Sequence, residues 1–359
     1  MKKLSVLFLA TILVLFLASC GKTEAATAAD EAISAIGEVT LDSLPAIEAA
    51  EGAVEALTEE ERGQIDNLDV LNTARETYDR LVTEAEAAAV DEVIAAIGPV
   101  TEDSAAAISA ARAAYDEASP DVQALVTGLA ELDAAEAEYL ELCAGQVSDM
   151  IAALGDITLD DAVAIRDTLS AYESLTPEAA ELVEGVDALE AAEAAVKELA
   201  LQVIGAMRVD EDVVRGLNFY YPTGWVYYDA NTWAADQRSF ALPYLGEQDG
   251  RYWMRVVFNY TGNSWVFFEN LLVSIDGELT TKSFDYFDVT RDNGGGRVWE
   301  YVDVDATDNS YMDLMWEIAN SDTTIIRFQG ESYSSDLTVT DTDKAAMRDI
   351  YLAYTALTL

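Results

Sequence analysis

Ala35-Ile36-Gly37-Glu38-Val39-Thr40 recurs as Ala96-Ile97-Gly98-Pro99-Val100-Thr101 and again as Ala153-Leu154-Gly155-Asp156-Ile157-Thr158. From each glycine it is 17 residues to Val54, Tyr115 or Tyr172, and 17 more to Leu71, Leu132 or Leu189. Two spacings preserved across three copies mark a structural unit used in tandem. Each glycine fits the position just past a helix end, where a left-handed backbone suits a residue without Cβ. Thr40, Thr101 and Thr158 read as N-caps of the next helix, followed by acidic residues that favour its positive end. In the second copy Ala107, Ile108, Ala111 and Tyr115 fall on one helical face. Ser119-Pro120-Asp121 and Thr176-Pro177-Glu178 then read as a cap, a proline at the first helical position and an acid; Thr58-Glu59-Glu60 keeps the cap without the proline. A long Ala/Glu/Leu helix is expected to follow each, and residues 129 to 154 are expected to form one continuous helix of about 39 Å.

The copies divide as residues 28–86, 87–144 and 145–202. Their offset is 61 residues and then 57, the four extra residues falling between Tyr78 and Gly98. Four residues add about 400° of helix, so the face is nearly kept and one copy turns by about 40°. A spacer tolerates that better than a site of fixed geometry. With these landmarks, the copies resemble the three-helix-bundle repeats of Gram-positive surface proteins. The resemblance implies a stalk or, in some branches, a grip on host proteins; the basic residues common in the third helix of those relatives are here nearly all acidic.

The 359 residues carry 67 Asp plus Glu against 20 Lys plus Arg, a net charge of −47, with no histidine. Such a polyanion has no basic footprint for nucleic acid. Ser-His-Asp and Cys-His relays and His-ligated metal sites are excluded. Hydrophobic residues are 51% of the chain, enough for packed cores. Residues 21–202 hold 42 acids and 7 bases, so most of the charge coats the helical copies, where self-repulsion resists collapse and anionic headgroups are repelled.

Met1-Lys2-Lys3 and the apolar run Leu4–Ala18 read as a secretory signal, too short to span a bilayer as a helix. Leu17-Ala18-Ser19-Cys20 resembles the lipobox of bacterial lipoproteins. That resemblance implies a signal peptide over 1–19, acylation of Cys20, a linker over 20–27 and attachment to the membrane through the N-terminal lipid only. Gly21 is not the Asp that resembles an inner-membrane retention signal, and the stalk resemblance leans toward a Gram-positive envelope. The expected location is then extracytoplasmic, on the outer face of the cytoplasmic membrane. Cys143, left as the one other thiol, aligns with Val82 and Ala200 and is expected as a small buried hydrophobe.

Beyond residue 202 the composition changes. Of 33 aromatic residues only Tyr78, Tyr115, Tyr139 and Tyr172 lie between 21 and 202, and all six Trp lie beyond. Residues 252–260, 264–268, 271–275, 298–302 and 324–328 read as strands, with a hairpin turn at Asp276-Gly277. Thr340 to Thr342 cap a final helix with Met347, Ile350, Tyr351 and Tyr354 on one face. The fold class expected is therefore multidomain α plus β. Three tandem three-helix bundles joined by fused helices precede an antiparallel β-sandwich or open barrel with a C-terminal helix over 205–359. The stretch from Trp265 to Tyr354 resembles β-rich domains of uncharacterised bacterial lipoproteins, a likeness that carries no activity.

Candidate chemistry is sparse. Trp and Tyr stack on sugar rings, but aromatics alternating in strands mainly build cores. Trp225 and Trp233, in a turn-rich stretch outside the clearest alternation, are the aromatics expected to face a ligand. Asp303, Asp305 and Asp308 have calcium-like spacing but lack the EF-hand glycine and closing glutamate, and read as a solvated acidic loop. Arg291–Arg297 is glycine-rich without the P-loop lysine and reads as a mobile hairpin loop. Paired carboxylates for a glycosidase carry no specificity among 25 acids after residue 202. No cofactor or metal is implied. The function expected is non-catalytic display of a β-rich binding domain for an extracellular or wall-associated glycan or protein. The alternatives are that the helical copies are the protein-binding module, or that the C-terminal domain is a carboxylate-dependent glycan-active enzyme.

Overall fold

A computed structural model describes residues 22–222, 238–307 and 309–359. The chain is mixed α and β: helices up to Gly205, then antiparallel sheets and a C-terminal helix. It divides into two compact units, residues up to Tyr139 and Leu140–Leu359.

The helical elements are α1 (Glu24–Ala35), α2 (Leu44–Glu55), α3 (Glu59–Arg62), α4 (Leu68–Ala95), α5 (Ala105–Glu117), α6 (Pro120–Gln123), α7 (Leu129–Ala153), α8 (Ala162–Glu173), α9 (Pro177–Ala180) and α10 (Val186–Gly205). Gly37, Gly98 and Gly155 sit at φ +65°, +63° and +61°, the left-handed conformation that ends a helix. Thr40, Thr101 and Thr158 each form a capping box, with Ser43, Ser104 and Asp161 respectively. Each box opens a short 3-10 turn before the following helix, a detail absent from the periodicity.

The Ser-Pro, Thr-Pro and Thr-Glu caps hold a different role from the one expected. They start α3, α6 and α9, single-turn helices of four residues each. The long helices begin later, at Leu68, Leu129 and Val186. In each stretch a hydrogen bond ties the intervening loop to the first helix. Asp66 N–H donates to Asp30 Oδ1 at 3.1 Å, Thr127 N–H to Asp91 Oδ1 at 3.0 Å, and Glu184 N–H to Ser148 Oγ at 2.9 Å. All three bonds span 36 residues.

In the first unit two clusters bury equivalent residues: Ile33, Ile47, Ala50, Leu71 and Ala74 in one, and Ile94, Ile108, Ala111, Leu132 and Ala135 in the other. In the second unit the matching Ile151, Ile165, Leu189 and Ala192 are also buried, but in a core that continues through the β-rich region to Ala356. Thus the third copy and the residues after 205 bury one common interior. Cys143 is half-buried rather than fully buried.

The second unit continues with β1 (Arg208–Asp212), β2 (Leu217–Tyr221), β3 (Phe240–Gln248), β4 (Arg251–Gly262), β5 (Asn270–Ile275), β6 (Glu278–Ser283), β7 (Thr290–Gly294), β8 (Arg297–Asp305), α11 (Asn309–Asn320), β9 (Thr324–Gln329), β10 (Ser334–Thr338) and α12 (Asp341–Leu357). Among the described residues the strands form two antiparallel sheets, ordered β1-β2-β3-β4-β8-β7 and β10-β9-β5-β6. Asp276-Gly277 turns between β5 and β6 with both residues at positive φ, as expected of a two-residue hairpin. Asp249-Gly250 does the same between β3 and β4. Gly295-Gly296 does so between β7 and β8, so the Arg291–Arg297 stretch is a paired hairpin and not a mobile loop.

Helix α12 begins with the Thr340 hydroxyl accepting the Asp343 N–H at 3.2 Å. Its predicted face, Met347, Ile350, Tyr351 and Tyr354, is buried. So is much of its remaining surface, because α8 and α10 pack on it as well as β3. Lys197 of α10 donates to the Leu359 carbonyl at 3.0 Å, and Arg348 of α12 pairs with Asp160 at 3.0 Å.

Candidate functional site

Residues 264–268, read from sequence as a strand, are not one. Their backbone N–H groups leave the ladder for a single side chain. Glu300, fully buried on β8 between β4 and β7, accepts Val266 N–H at 2.6 Å and Phe267 N–H at 2.8 Å on Oε1, and Phe268 N–H at 2.9 Å on Oε2. Three consecutive N–H donors converging on one anion form a concave nest, which an extended strand cannot supply. Phe267 accordingly sits at φ +54°, uncommon for a residue with a side chain.

Arg291, opposite Glu300 on β7, completes the charge balance. Its Nε donates to Glu300 Oε2 at 3.3 Å, Nη1 to the carbonyls of Tyr286 and Val289 at 2.7 and 3.1 Å, and Nη2 to the Phe268 carbonyl at 3.0 Å. A buried carboxylate is costly unless paired and fully hydrogen-bonded, and here it is both. The Glu300–Arg291 pair therefore pins two loops, 264–268 and 284–289, to one point of the sheet. Gly330 lies against the first of them: a Cβ there would clash with the carbonyl oxygens of Val266 and Phe267.

The pinned loops present a row of aromatic rings. Val266 and Phe268 point inward, whereas Phe267 is exposed and stacks at 5.7 Å, ring planes 22° apart, on Trp265, which is half-buried against the core. The Arg291 guanidinium lies 5.9 Å from the Phe267 ring and 4.2 Å from the Tyr286 ring. Tyr286 meets Phe287 edge to face at 5.5 Å. Phe267 is 43% exposed, Tyr286 48% and Phe287 93%. Exposed rings in mutual contact make this aromatic surface the candidate site.

A second aromatic group is structural. Tyr221 stacks on Tyr244 at 5.2 Å, and Phe219 meets Trp253 at 6.3 Å. The Trp253 indole lies across Gly246, where any Cβ would collide with it. These rings are buried or half-buried, as sheet packing requires. Trp299 is buried in the sheet and Trp316 stacks on Tyr351 at 4.5 Å.

The candidates named from sequence fare differently. Cys20, Trp225, Trp233 and Asp308 lie outside the described residues. Asp303 and Asp305 are not in a loop but on β8, because that strand pairs with β4 as far as Asp305. Asp303 accepts from Tyr244 Oη at 2.9 Å and from Arg255 Nε at 2.8 Å. Burial, reinforced by the Asp303 charge, pushes the Tyr244 phenol above its usual range. Asp305 accepts Thr307 N–H at 2.8 Å, which holds its carboxyl below the usual range. These carboxylates already serve arginine and backbone donors, and among the described residues no group of three or more His, Cys, Asp or Glu is placed to hold a metal ion.

Trp265 and Phe267 were legible only as aromatics in an apparent strand. Tyr286, Phe287, Arg291 and Glu300 were missed as site residues. The available signal was Phe284-Asp285-Tyr286-Phe287-Asp288, where adjacent rings between acids break strand alternation and force one outward. In the helical region, a groove of about 440 Å³ runs beside Ile94, Ile97, Gly98 and Gly128, and another of about 440 Å³ beside Ile33, Ile36, Gly37 and Asn67.

No protein-family model, curated protein or solved structure matches the chain. Among the described residues, no helix is long and apolar enough to cross a membrane.

Proposed function

We propose that this protein is an envelope lipoprotein, acylated on Cys20 after removal of residues 1–19, that displays a non-catalytic binding domain outside the cytoplasmic membrane. In this reading residues 28–86, 87–144 and 145–202 are three tandem three-helix bundles forming an acidic stalk, and residues 205–359 carry the ligand site. Support for the tandem units comes from the three matched 36-residue hydrogen bonds and the three left-handed glycines. The observation that carries the binding role is the exposed aromatic row, fixed by a buried carboxylate whose acceptor capacity is spent on structure. A carboxylate committed in this way is an anchor and not a general acid or base.

The test has two readouts on the full chain. Fatty-acid labelling is expected for the wild type and absent in Cys20→Ala. Retention on isolated cell-wall material is expected for the wild type and lost in Phe287→Ala. Labelling without a Cys20 requirement removes the lipoprotein reading; retention that ignores Phe287 removes the aromatic row. The paired grooves in the first two copies favour a second reading, in which the helical region binds a protein partner. Retention lost on filling the groove with Ala95→Leu, at an exposed residue of its lining, with Phe287→Ala silent, selects it.

A further inference from the structure

We infer that the row Trp265–Phe267–Arg291–Tyr286–Phe287 is a stacking platform for a neutral, hydroxyl-rich polysaccharide. This rests on the reading of the C-terminal region as a binding module and goes further by fixing the chemistry of the ligand.

Three features select that class. First, the exposed part of the row is aromatic: Phe267, Tyr286 and Phe287 offer ring faces and edges to solvent, with the Arg291 guanidinium beneath them and Trp265 half-buried behind, and aromatic faces of this kind cover the C–H faces of sugar rings. Second, its centre carries no net charge, because Arg291 and Glu300 compensate each other at 3.3 Å. The Arg291 N–H groups are committed to Glu300, Tyr286, Val289 and Phe268, so none is offered as a fork for a phosphate or carboxylate ligand. The cation–π positions over Tyr286 and Phe267 are occupied from within by the same guanidinium, which repels a second cation from them. Third, the pinned loops and their margins supply exposed acceptors, Glu269 and Asp285. Carboxylates accept from sugar hydroxyls and turn away polyanions, including nucleic acid and anionic lipid. An uncharged ligand with apolar faces and hydroxyl edges satisfies all three.

The experiment is affinity electrophoresis of the full chain in non-ionic detergent through gels holding one polymer each. The neutral arm uses α- and β-linked glucans, galactan and mannan; the charged arms use polylysine and polygalacturonate. Phe287→Ala, Trp265→Ala and the control Val214→Ala are run beside the wild type. Val214 is 96% exposed at the tip of the β1–β2 hairpin, at the other end of the same sheet. Retardation by at least one neutral glycan is expected, weakened about tenfold by Phe287→Ala or Trp265→Ala and unchanged by Val214→Ala. It should also persist in high salt, since no ion pair is being screened. Because Phe287 is 93% exposed, its alanine variant should melt with the wild type, which separates lost binding from lost folding.

Retardation only by polylysine or polygalacturonate, still dependent on Phe287, overturns the neutral-glycan assignment and leaves the binding module standing. Neutral-glycan retardation indifferent to both ring variants overturns the row as its site. No ring-dependent retardation by any polymer overturns the assignment and the binding-module reading together.

Discussion

Phe267 donates its backbone N–H to Glu300 at 2.8 Å while its own ring turns to the surface, stacked on Trp265. The same residue thus belongs to the buried framework through its main chain and to the exposed row through its side chain. Its positive φ is what turns one away from the other. A buried carboxylate is spent on shaping the surface formed by two short loops.

Removing that anion should be severe. Glu300→Ala leaves three inward N–H groups and Arg291 without their acceptor, and the cost expected is about 3–5 kcal/mol, the range for breaking a buried pair. Glu300→Gln keeps one carbonyl acceptor and should cost less, about 2 kcal/mol. All six tryptophans lie beyond residue 202, so urea unfolding followed by tryptophan fluorescence reports the unit that holds this region. Equal stability of Glu300→Ala and wild type would contradict the anchor.

Two glycines in the helical region should respond with opposite sign. Gly98 sits at φ +63°, where alanine is strained, so Gly98→Ala should destabilise by about 1 kcal/mol. Gly52 lies inside α2 with open space at its Cβ position, so Gly52→Ala should stabilise by about 0.5–1 kcal/mol. Thermal melts followed at the helical circular-dichroism band separate the two.

The loop anchor of the second copy predicts a pH dependence. Burial pushes the Asp91 carboxyl upward, but the Gly128 and Thr127 N–H groups and the Thr127 hydroxyl outweigh it and hold the carboxyl below its usual value. A depressed folded value means stability that is complete above the unfolded carboxylate range and lost as pH falls through the folded value. Asp91→Ser borrows the residue that does this work at Ser148. It should cost about 1 kcal/mol at pH 7, and the difference from wild type should close on acidification. A pH-independent difference would assign the cost to packing.

The shared interior of the second unit predicts where the chain can be cut. Residues 140–359 should unfold cooperatively by tryptophan fluorescence. Residues 205–359 remove α8 and α10 from α12, uncovering apolar surface at Tyr351 and its neighbours. That fragment should melt lower and bind a hydrophobic dye. Identical melting of the two fragments would show that the β-rich region needs no helical partner.

An ion pair shows how far repeats diverge while keeping a contact. Arg75 donates to Glu51 at 2.7 Å in the first copy; in the second, 61 residues on, Arg112 donates to Glu136 at 2.7 Å with the signs exchanged. Coulomb attraction is indifferent to which partner is positive, so the pair survives the swap. Scored for identity alone, both positions of the pair count as mismatches.

The sequence by itself determined what depends on neighbours in the chain. Helix ends at Gly37, Gly98 and Gly155, threonine caps, the tight turn at Asp276-Gly277 and the apolar face of α12 follow from local backbone preference and periodicity, which a short window contains. Tertiary structure decided what depends on partners far along the chain. It withdrew residues 264–268 from strand geometry, because Glu300, more than thirty residues away, competes for their N–H groups. It set the third helical copy and the β-rich region on one core, because α12 has apolar residues on more than the one face that periodicity shows and buries them against both. It also chose which aromatics face outward. Of the three residues whose N–H groups Glu300 accepts, Val266 and Phe268 turn inward and Phe267, at positive φ, turns outward.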